Sequence, residues 1–299
     1  MRTPLRRSAW LSAASGGEVY LKLESVQPTC SFKIRGAFNA VLTVVEQGGK
    51  HATPLVTASA GNHGRALAYA ARFAGLPLTV YVPENAPRTK LDAIRLSGAD
   101  LKTCRHYDDA EARAKAHAAD GSAIFLSPYS HPDVIAGAGT IALEILDERP
   151  EIDTIVVPVG GGGLVSGIAI AADALPTRTA VVGVEVDASS PFTQSLAAGR
   201  IVTIDVKPTL ADGLSGNLDP DTVTFDFVRR LVSQILVVTE RQLEASVRGL
   251  LSEERLVAEG AGAAATAAVV HNVADMRSRR VAVILSGANI DLERLKTLL

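Results

Sequence analysis

Eight short runs rich in β-branched residues recur along this chain: Val19–Leu23, Leu55–Thr57, Leu78–Val82, Ala123–Leu126, Thr154–Val159, Ala180–Val186, Ile235–Val238 and Val281–Leu285. Alanine-rich stretches of helical length separate them, among them Arg65–Ala74, Lys90–Ser97, Ala110–Ala119 and Thr140–Asp147. A strand that is followed by a helix and then another strand returns parallel to its neighbour. The alternation therefore predicts an α/β fold, with parallel sheets flanked by helices on both faces. At 299 residues and 47% hydrophobic content, the chain can build one large core or two modest ones. No repeat or low-complexity linker marks a boundary between them.

Three segments carry chemistry. The strand Thr154–Val159 runs into Gly160-Gly161-Gly162-Gly163, and a helix opens near Leu164. Four glycines let backbone N–H groups converge on an anion without Cβ obstruction, and the helix dipole adds to the attraction. A flexible linker does not fit between a β-branched strand and an apolar helix. A dinucleotide site is the competing reading, since Glu185 ends the next strand where a ribose-binding acid would stand. The G-x-G-x-x-G spacing fails, however, because its last position is Val165 or Ser166. A phosphate monoester is the better ligand.

The second segment, Ser59-Ala60-Gly61-Asn62-His63-Gly64, is a polar turn after Leu55–Thr57 that can cap a helix near Arg65 and bind a ligand as well. The third is Thr29-Cys30-Ser31-Phe32-Lys33-Ile34-Arg35-Gly36-Ala37. There Lys33 opens an expected helix, Phe32–Val45, whose positive end disfavours a protonated amine. An amine that gives up its proton is what Schiff-base formation needs. Taken alone, Lys33 would read as a solvated surface lysine.

Together these segments resemble the fold-type II pyridoxal-phosphate (PLP) enzymes, nearest to the serine/threonine dehydratases and serine racemases, from about Thr3 to about Leu295. The resemblance implies a tryptophan synthase β-like architecture of two α/β domains. Residues 46–133 would form a small inserted domain, and 1–45 plus 134–299 the large cofactor-binding domain. PLP would lie in the cleft, bonded to Lys33 as a Schiff base. Phe32 would pack on its ring, Asn62 would bond its 3′-oxygen, and Gly160, Gly161, Gly162, Gly163 and Leu164 would hold its phosphate.

Two further stretches match the family. In Leu256-Val257-Ala258-Glu259-Gly260-Ala261-Gly262, Glu259 would lie near the ring; in Leu285-Ser286-Gly287-Ala288-Asn289-Ile290, Ser286 would face the pyridine nitrogen. A hydroxyl cannot stabilise a pyridinium as aspartate would, which favours prompt loss of a β-leaving group. The substrate carboxylate would meet Ser59, Ala60, Gly61, Asn62 and His63. No proton-transfer role falls to His63. Gly213, in Thr209-Leu210-Ala211-Asp212-Gly213, would line the substrate side, and Tyr129 would border the substrate side chain.

Thiol-transferring relatives carry S-V-K-D-R and G-T-G-G-T where this chain has Ser31-Phe32-Lys33-Ile34-Arg35 and Gly160–Gly163, which favours the dehydratase/racemase branch. Racemases resembling this chain have S-S-G-N-H, with the second serine as the acid/base opposite the lysine. Here that position is Ala60. The expected activity is therefore ammonia-lyase (dehydratase) chemistry, in which Lys33 removes the α-proton of a 3-hydroxy amino acid. L-Threonine or L-serine is no more than the default substrate, because Ser127-Pro128-Tyr129 departs from the family's H-P-F or H-P-N. Racemisation and cofactor binding without turnover are the alternatives.

Other features narrow the setting. A net charge of −2 and a pI near 6.3 offer no electrostatic footprint for nucleic acid or an anionic membrane. Cys30 and Cys104 form no C-x-x-C, so neither a disulfide framework nor a zinc site is expected and a reducing cytoplasm fits. The uncharged stretch Ile155–Ala172 is broken by Pro158 and the glycine run, and reads as strand, loop and helix. Arg2, Arg6 and Arg7 precede no apolar segment of signal-peptide length, so export is not expected.

Metal binding has one weak candidate, Glu185, since Pro191 stands where a second carboxylate would be. Arg2-Thr3-Pro4-Leu5 leaves about one helix fewer than relatives have before T-P-L. Feedback through a regulatory domain beyond Leu299 is not expected. A homodimer acting on a small amino acid is.

Overall fold

All eight expected runs form strands, and two more join them. In chain order the strands are β1 (Leu5–Arg7), β2 (Glu18–Leu23), β3 (Leu55–Ala58), β4 (Leu78–Pro83), β5 (Asp100–Cys104), β6 (Ile124–Phe125), β7 (Thr154–Pro158), β8 (Ala180–Val186), β9 (Gln234–Val238) and β10 (Arg280–Leu285). This computed structural model describes residues 1–48, 53–273 and 275–299. Residues 49–52, within the expected inserted segment, and residue 274 lie outside the described residues. The chain falls into two compact units, Met1–Phe32 with Gly139–Leu299, and Lys33–Ala138.

In the first unit the sheet order is β1-β2-β10-β7-β8-β9. Every neighbouring pair is parallel except β1–β2. β7 is buried throughout, and β8 and β10 at every position but the first. That is why these runs are apolar without alternation. The helix Gly260–Val270 is buried from Gly260 to Val269 and built almost wholly of Gly, Ala and Val. It has no polar face because it has no wet side; its alanines share a core with Leu11, Val156, Val184 and Leu285.

The second unit holds a parallel sheet of order β5-β4-β3-β6. Ile34, Ala37 and Val41 of the helix Lys33–Gly48 pack with Leu67 and Ala70 of the helix Asn62–Ala74, and with Val80 and Leu126.

The two unexpected strands lie at sheet edges. In β5, Asp100, Lys102 and Thr103 are exposed, and in β1 so are Arg6 and Arg7. Charge on an edge strand guards its open hydrogen-bonding rim and lowers its strand signal. β1 adds one antiparallel pair to sheets that are otherwise parallel.

The helix expected from Thr140 begins at Pro132 and runs to Glu148. Gly137 and Gly139 weigh against a helix by propensity, yet Gly137 has a packing role. A Cβ on Gly137 would lie 2.5 Å from Arg35 O, and one on Gly36 would lie 2.6 Å from Val134 O. The helix that opens at Lys33 thus touches the start of helix Pro132–Glu148 backbone to backbone. Gly36→Ala forces the two apart, and is expected to lower stability by about 1–3 kcal/mol in urea unfolding.

Candidate active site

In the unit Lys33–Ala138, Lys33 is the first residue of its helix. Its Nζ donates to the Pro128 carbonyl at 2.7 Å. Pro128 follows β6 in a tight turn, where Ser127 Oγ accepts from Tyr129 N at 3.5 Å and Ser130 N at 3.1 Å. Two residues earlier, the Leu126 carbonyl accepts Thr57 Oγ1 at 2.8 Å and faces His63 Nε2 at 3.2 Å. One short segment therefore supplies backbone acceptors to both Lys33 and His63. The sequence gives no sign of this, because every residue carries a carbonyl.

His63 is only 2% exposed. Burial pushes its pKa down to about 3; the charge on Lys33 adds to that effect and the Leu126 hydrogen bond opposes it. A neutral ring facing a carbonyl must carry its proton on Nε2. Nδ1 is then a bare acceptor, buried with no partner among the described residues.

The turn Ser59–Gly61 joins the inner strand β3 to the helix Asn62–Ala74. Ser59 N donates to Tyr81 O at 3.2 Å, and Ser59 Oγ accepts from Gly61 N at 3.2 Å. The helix's first bond runs from Arg65 N to Gly61 O at 3.1 Å, so the amides of Asn62, His63 and Gly64 lie ahead of its ladder. These donors and the helix dipole suit a carboxylate. Ala60 presents only a methyl group, half-buried against the core of its unit.

In the other unit, Val159 N makes the last sheet bond after β7, to Val184 O at 2.8 Å, and the chain then turns through Gly160–Gly162. Gly162 has φ +86°, the left-handed region that favours glycine. A Cβ there would stand 2.6 Å from Phe192 Cζ and 2.9 Å from Thr224 Cβ. The helix Gly163–Asp173 makes its first bond from Ser166 N to Gly162 O at 2.9 Å, with the amides of Gly163, Leu164 and Val165 ahead of it. Ser166 Oγ is buried and without a partner among the described residues. Gly160 packs against the turn Asp212–Leu214: a Cβ on it would lie 3.2 Å from Gly213 O.

Phe32, Glu259 and Ser286 gather around Gly287 in this same unit. Phe32 N donates to Ser286 O at 3.0 Å, and Ser31 pairs with Gly287 in an isolated bridge. Glu259 N donates to Gly287 O at 3.1 Å, and the Glu259 carboxylate lies against Gly287 Cα at the head of helix Gly260–Val270. Ser286 is buried at the end of β10.

Glu185 has another occupation than metal binding. Its Oε1 accepts from Phe192 N at 2.8 Å, and its Oε2 from Thr193 N at 2.8 Å and Thr193 Oγ1 at 2.6 Å. Burial pushes its pKa up, and the bonds from Thr193 and Phe192 oppose that. The carboxylate holds the first turn of helix Pro191–Ala198. Among the described residues, no three His, Cys, Asp or Glu side chains are grouped to hold a metal, and no helix is long and apolar enough to cross a membrane.

Each unit on its own offers what one end of PLP requires. The turn at Gly160–Gly163 offers helix-head amides suited to a phosphate dianion, and it is packed from behind so closely that a Cβ on Gly160 or Gly162 would meet Leu214, Phe192 or Thr224. The other unit offers an amine fixed at a helix start, suited to the aldehyde carbon.

Residues 1–287 match the family of pyridoxal-phosphate dependent enzymes. The chain belongs to that family, and PLP is its cofactor. It is 40% identical over 292 residues to an L-threonine ammonia-lyase of Thermotoga maritima, covering 97% of this chain and 72% of that protein. Among solved structures it is similar to maize serine racemase, with a TM-score of 0.92 and 32% identity over 99% of this chain and 91% of that one. It is also similar to the processed form of threonine deaminase isoform 2 from Solanum lycopersicum, with a TM-score of 0.91 and 30% identity, covering 100% and 87% of the two chains.

The buried imidazole makes stability depend on pH. An unfolded histidine titrates near 6.5 and folded His63 near 3, so the unfolded chain binds more protons between those values. Stability is present above pH 6.5 and is lost as pH falls, by about 2 kcal/mol from pH 6.5 to 5. His63→Gln keeps a donor for Leu126 O and removes that slope. Its urea midpoint should fall less than that of the wild type between pH 7 and pH 5.

Proposed function

We propose that this enzyme is an ammonia-lyase that converts an L-3-hydroxy amino acid, threonine or serine by default, to a 2-oxo acid and ammonia. Water leaves the substrate and water re-enters when the nitrogen is released, so the net change is loss of ammonia alone. Bound to a substrate amine, PLP draws electron density from the α-carbon and makes its proton removable. All else falls to the chain's own groups.

Lys33 is the proposed base that takes the α-proton at Nζ. The Pro128 carbonyl is an acceptor for the amine in its protonated form. The amides of Gly160, Gly161, Gly162, Gly163 and Leu164 hold the cofactor phosphate, Phe32 and Glu259 border the ring, Asn62 bonds its 3′-oxygen, and Ser286 offers the ring nitrogen a neutral hydroxyl. Ser59, Ala60, Gly61, Asn62 and His63 receive the substrate carboxylate, with Gly213 and Tyr129 beside the substrate. In domain terms, the small domain of 46–133 carries the carboxylate turn, and the large one of 1–45 plus 134–299 carries the phosphate cradle. Assembly as a homodimer in the cytoplasm completes the reading.

Ala60 is the observation that carries elimination over racemisation. Inversion needs a proton donor on the face away from Lys33, and a methyl group has none to give. His63 does not replace it: its one proton is held toward Leu126 O, and its pKa near 3 keeps the ring neutral. The similarity to the Thermotoga maritima ammonia-lyase supports the same choice, while that to maize serine racemase marks the alternative.

The test is to supply L-threonine and L-serine and measure 2-oxo acid, ammonia and D-enantiomer together. Keto acid with little D-product is expected, and Lys33→Ala should abolish both products. Predominant D-serine would overturn the reading. Ala60→Ser places a hydroxyl on the second face and should raise racemisation relative to elimination by about a hundredfold, the lower end of what a positioned acid or base contributes.

A further inference from the structure

The turn after β7 is braced from behind by residues far away in the chain. Thr224, with no solvent exposure, opens the helix Thr224–Leu231 and donates its hydroxyl to the Gly161 carbonyl at 2.8 Å. Thr222 Oγ1 lies 2.8 Å from Thr224 Oγ1. A hydroxyl has a single proton. Thr224 directs its own to Gly161, so Thr222 is the donor in the threonine pair. The Thr222 oxygen in turn accepts from Thr224 N at 3.3 Å. Serial donation of this kind strengthens each bond in the chain. Phe192 closes on Gly162 in the same way, its backbone N–H fastened to Glu185 Oε1 at 2.8 Å.

Peptide geometry gives this brace a consequence. The carbonyl of Gly161 and the N–H of Gly162 belong to one planar trans unit and point in opposite directions. Holding the carbonyl on Thr224 turns the Gly162 N–H away from Thr224. Without that bond, a peptide flanked by two glycines has little steric resistance to rotation. Where the peptide plane points is therefore set by Thr224.

We propose that Thr224, with Thr222 as its hydrogen-bond donor, is a positioning residue for the cofactor phosphate, holding the Gly161–Gly162 peptide so that the Gly162 N–H stays among the phosphate donors. The proposal rests on the reading of Gly160–Gly163 as the phosphate cradle. It assigns a task to two threonines more than fifty residues from that loop, and it predicts an effect confined to the phosphate end of the cofactor.

The experiment compares dissociation constants of PLP and of pyridoxal, which lacks the phosphate, for the resolved apoenzyme. Thr224→Val should weaken PLP binding about tenfold, the value of one hydrogen bond to a well-placed acceptor, and leave pyridoxal binding unchanged. Thr224→Ser should restore PLP affinity. Thr222→Val, which removes the outer donor only, should weaken PLP binding about threefold. The phosphorus resonance of bound PLP should shift in Thr224→Val and return in Thr224→Ser.

Unchanged PLP affinity in Thr224→Val overturns the proposal, as does an equal loss for PLP and pyridoxal, which marks general distortion. Should circular dichroism show Thr224→Val unfolded, Thr222→Val decides: loss for PLP alone supports the brace, and no loss overturns it. A wild type that binds PLP no better than pyridoxal overturns the cradle itself and the brace with it.

Discussion

A helix that starts at the end of a buried parallel strand exposes donors it cannot satisfy within its own ladder. This chain builds that arrangement twice. After β7 the amides of Gly163, Leu164 and Val165 precede the first bond of their helix, and after β3 those of Asn62, His63 and Gly64 precede theirs. Both heads sit at carboxyl ends of inner strands, where a sheet covered on both faces leaves its ligand-binding edge. Helix heads of this kind attract anions, and the proposed function gives one to a phosphate and the other to a carboxylate. The substitutions that would spoil them act through backbone approach: a side chain at Gly162 meets Phe192 and Thr224 before it meets any ligand.

Much of this was legible because burial writes itself into composition. The inner strands β7, β8 and β10 are nearly continuous in Val and Ile, and the alternation with alanine-rich stretches carried the fold class. What escaped notice had physical reasons. β1 and β5 are edge strands whose charges hide their extended backbone. The first two turns of helix Pro132–Glu148 contain Gly137, which propensity counts against a helix although close packing on Arg35 requires it.

Among the candidate site residues, Lys33, the glycine run and the Ser59–His63 turn stand out in the sequence by residue type. Partners acting through backbone atoms or across long sequence separation do not. Pro128 offers only a carbonyl, and Thr222 and Thr224 resemble any other threonines until the fold brings them to Gly161. Glu185, only a weak metal candidate by sequence, has its carboxylate oxygens bonded by Phe192 and Thr193.

The account depends most on Lys33 being the amine that carries PLP. Borohydride reduction of the holoenzyme followed by peptide mapping tests this directly. The cofactor label should appear on the peptide containing Ser31-Phe32-Lys33-Ile34, and Lys33→Ala should take up none. Label on any other lysine, or full labelling of Lys33→Ala, would contradict the account.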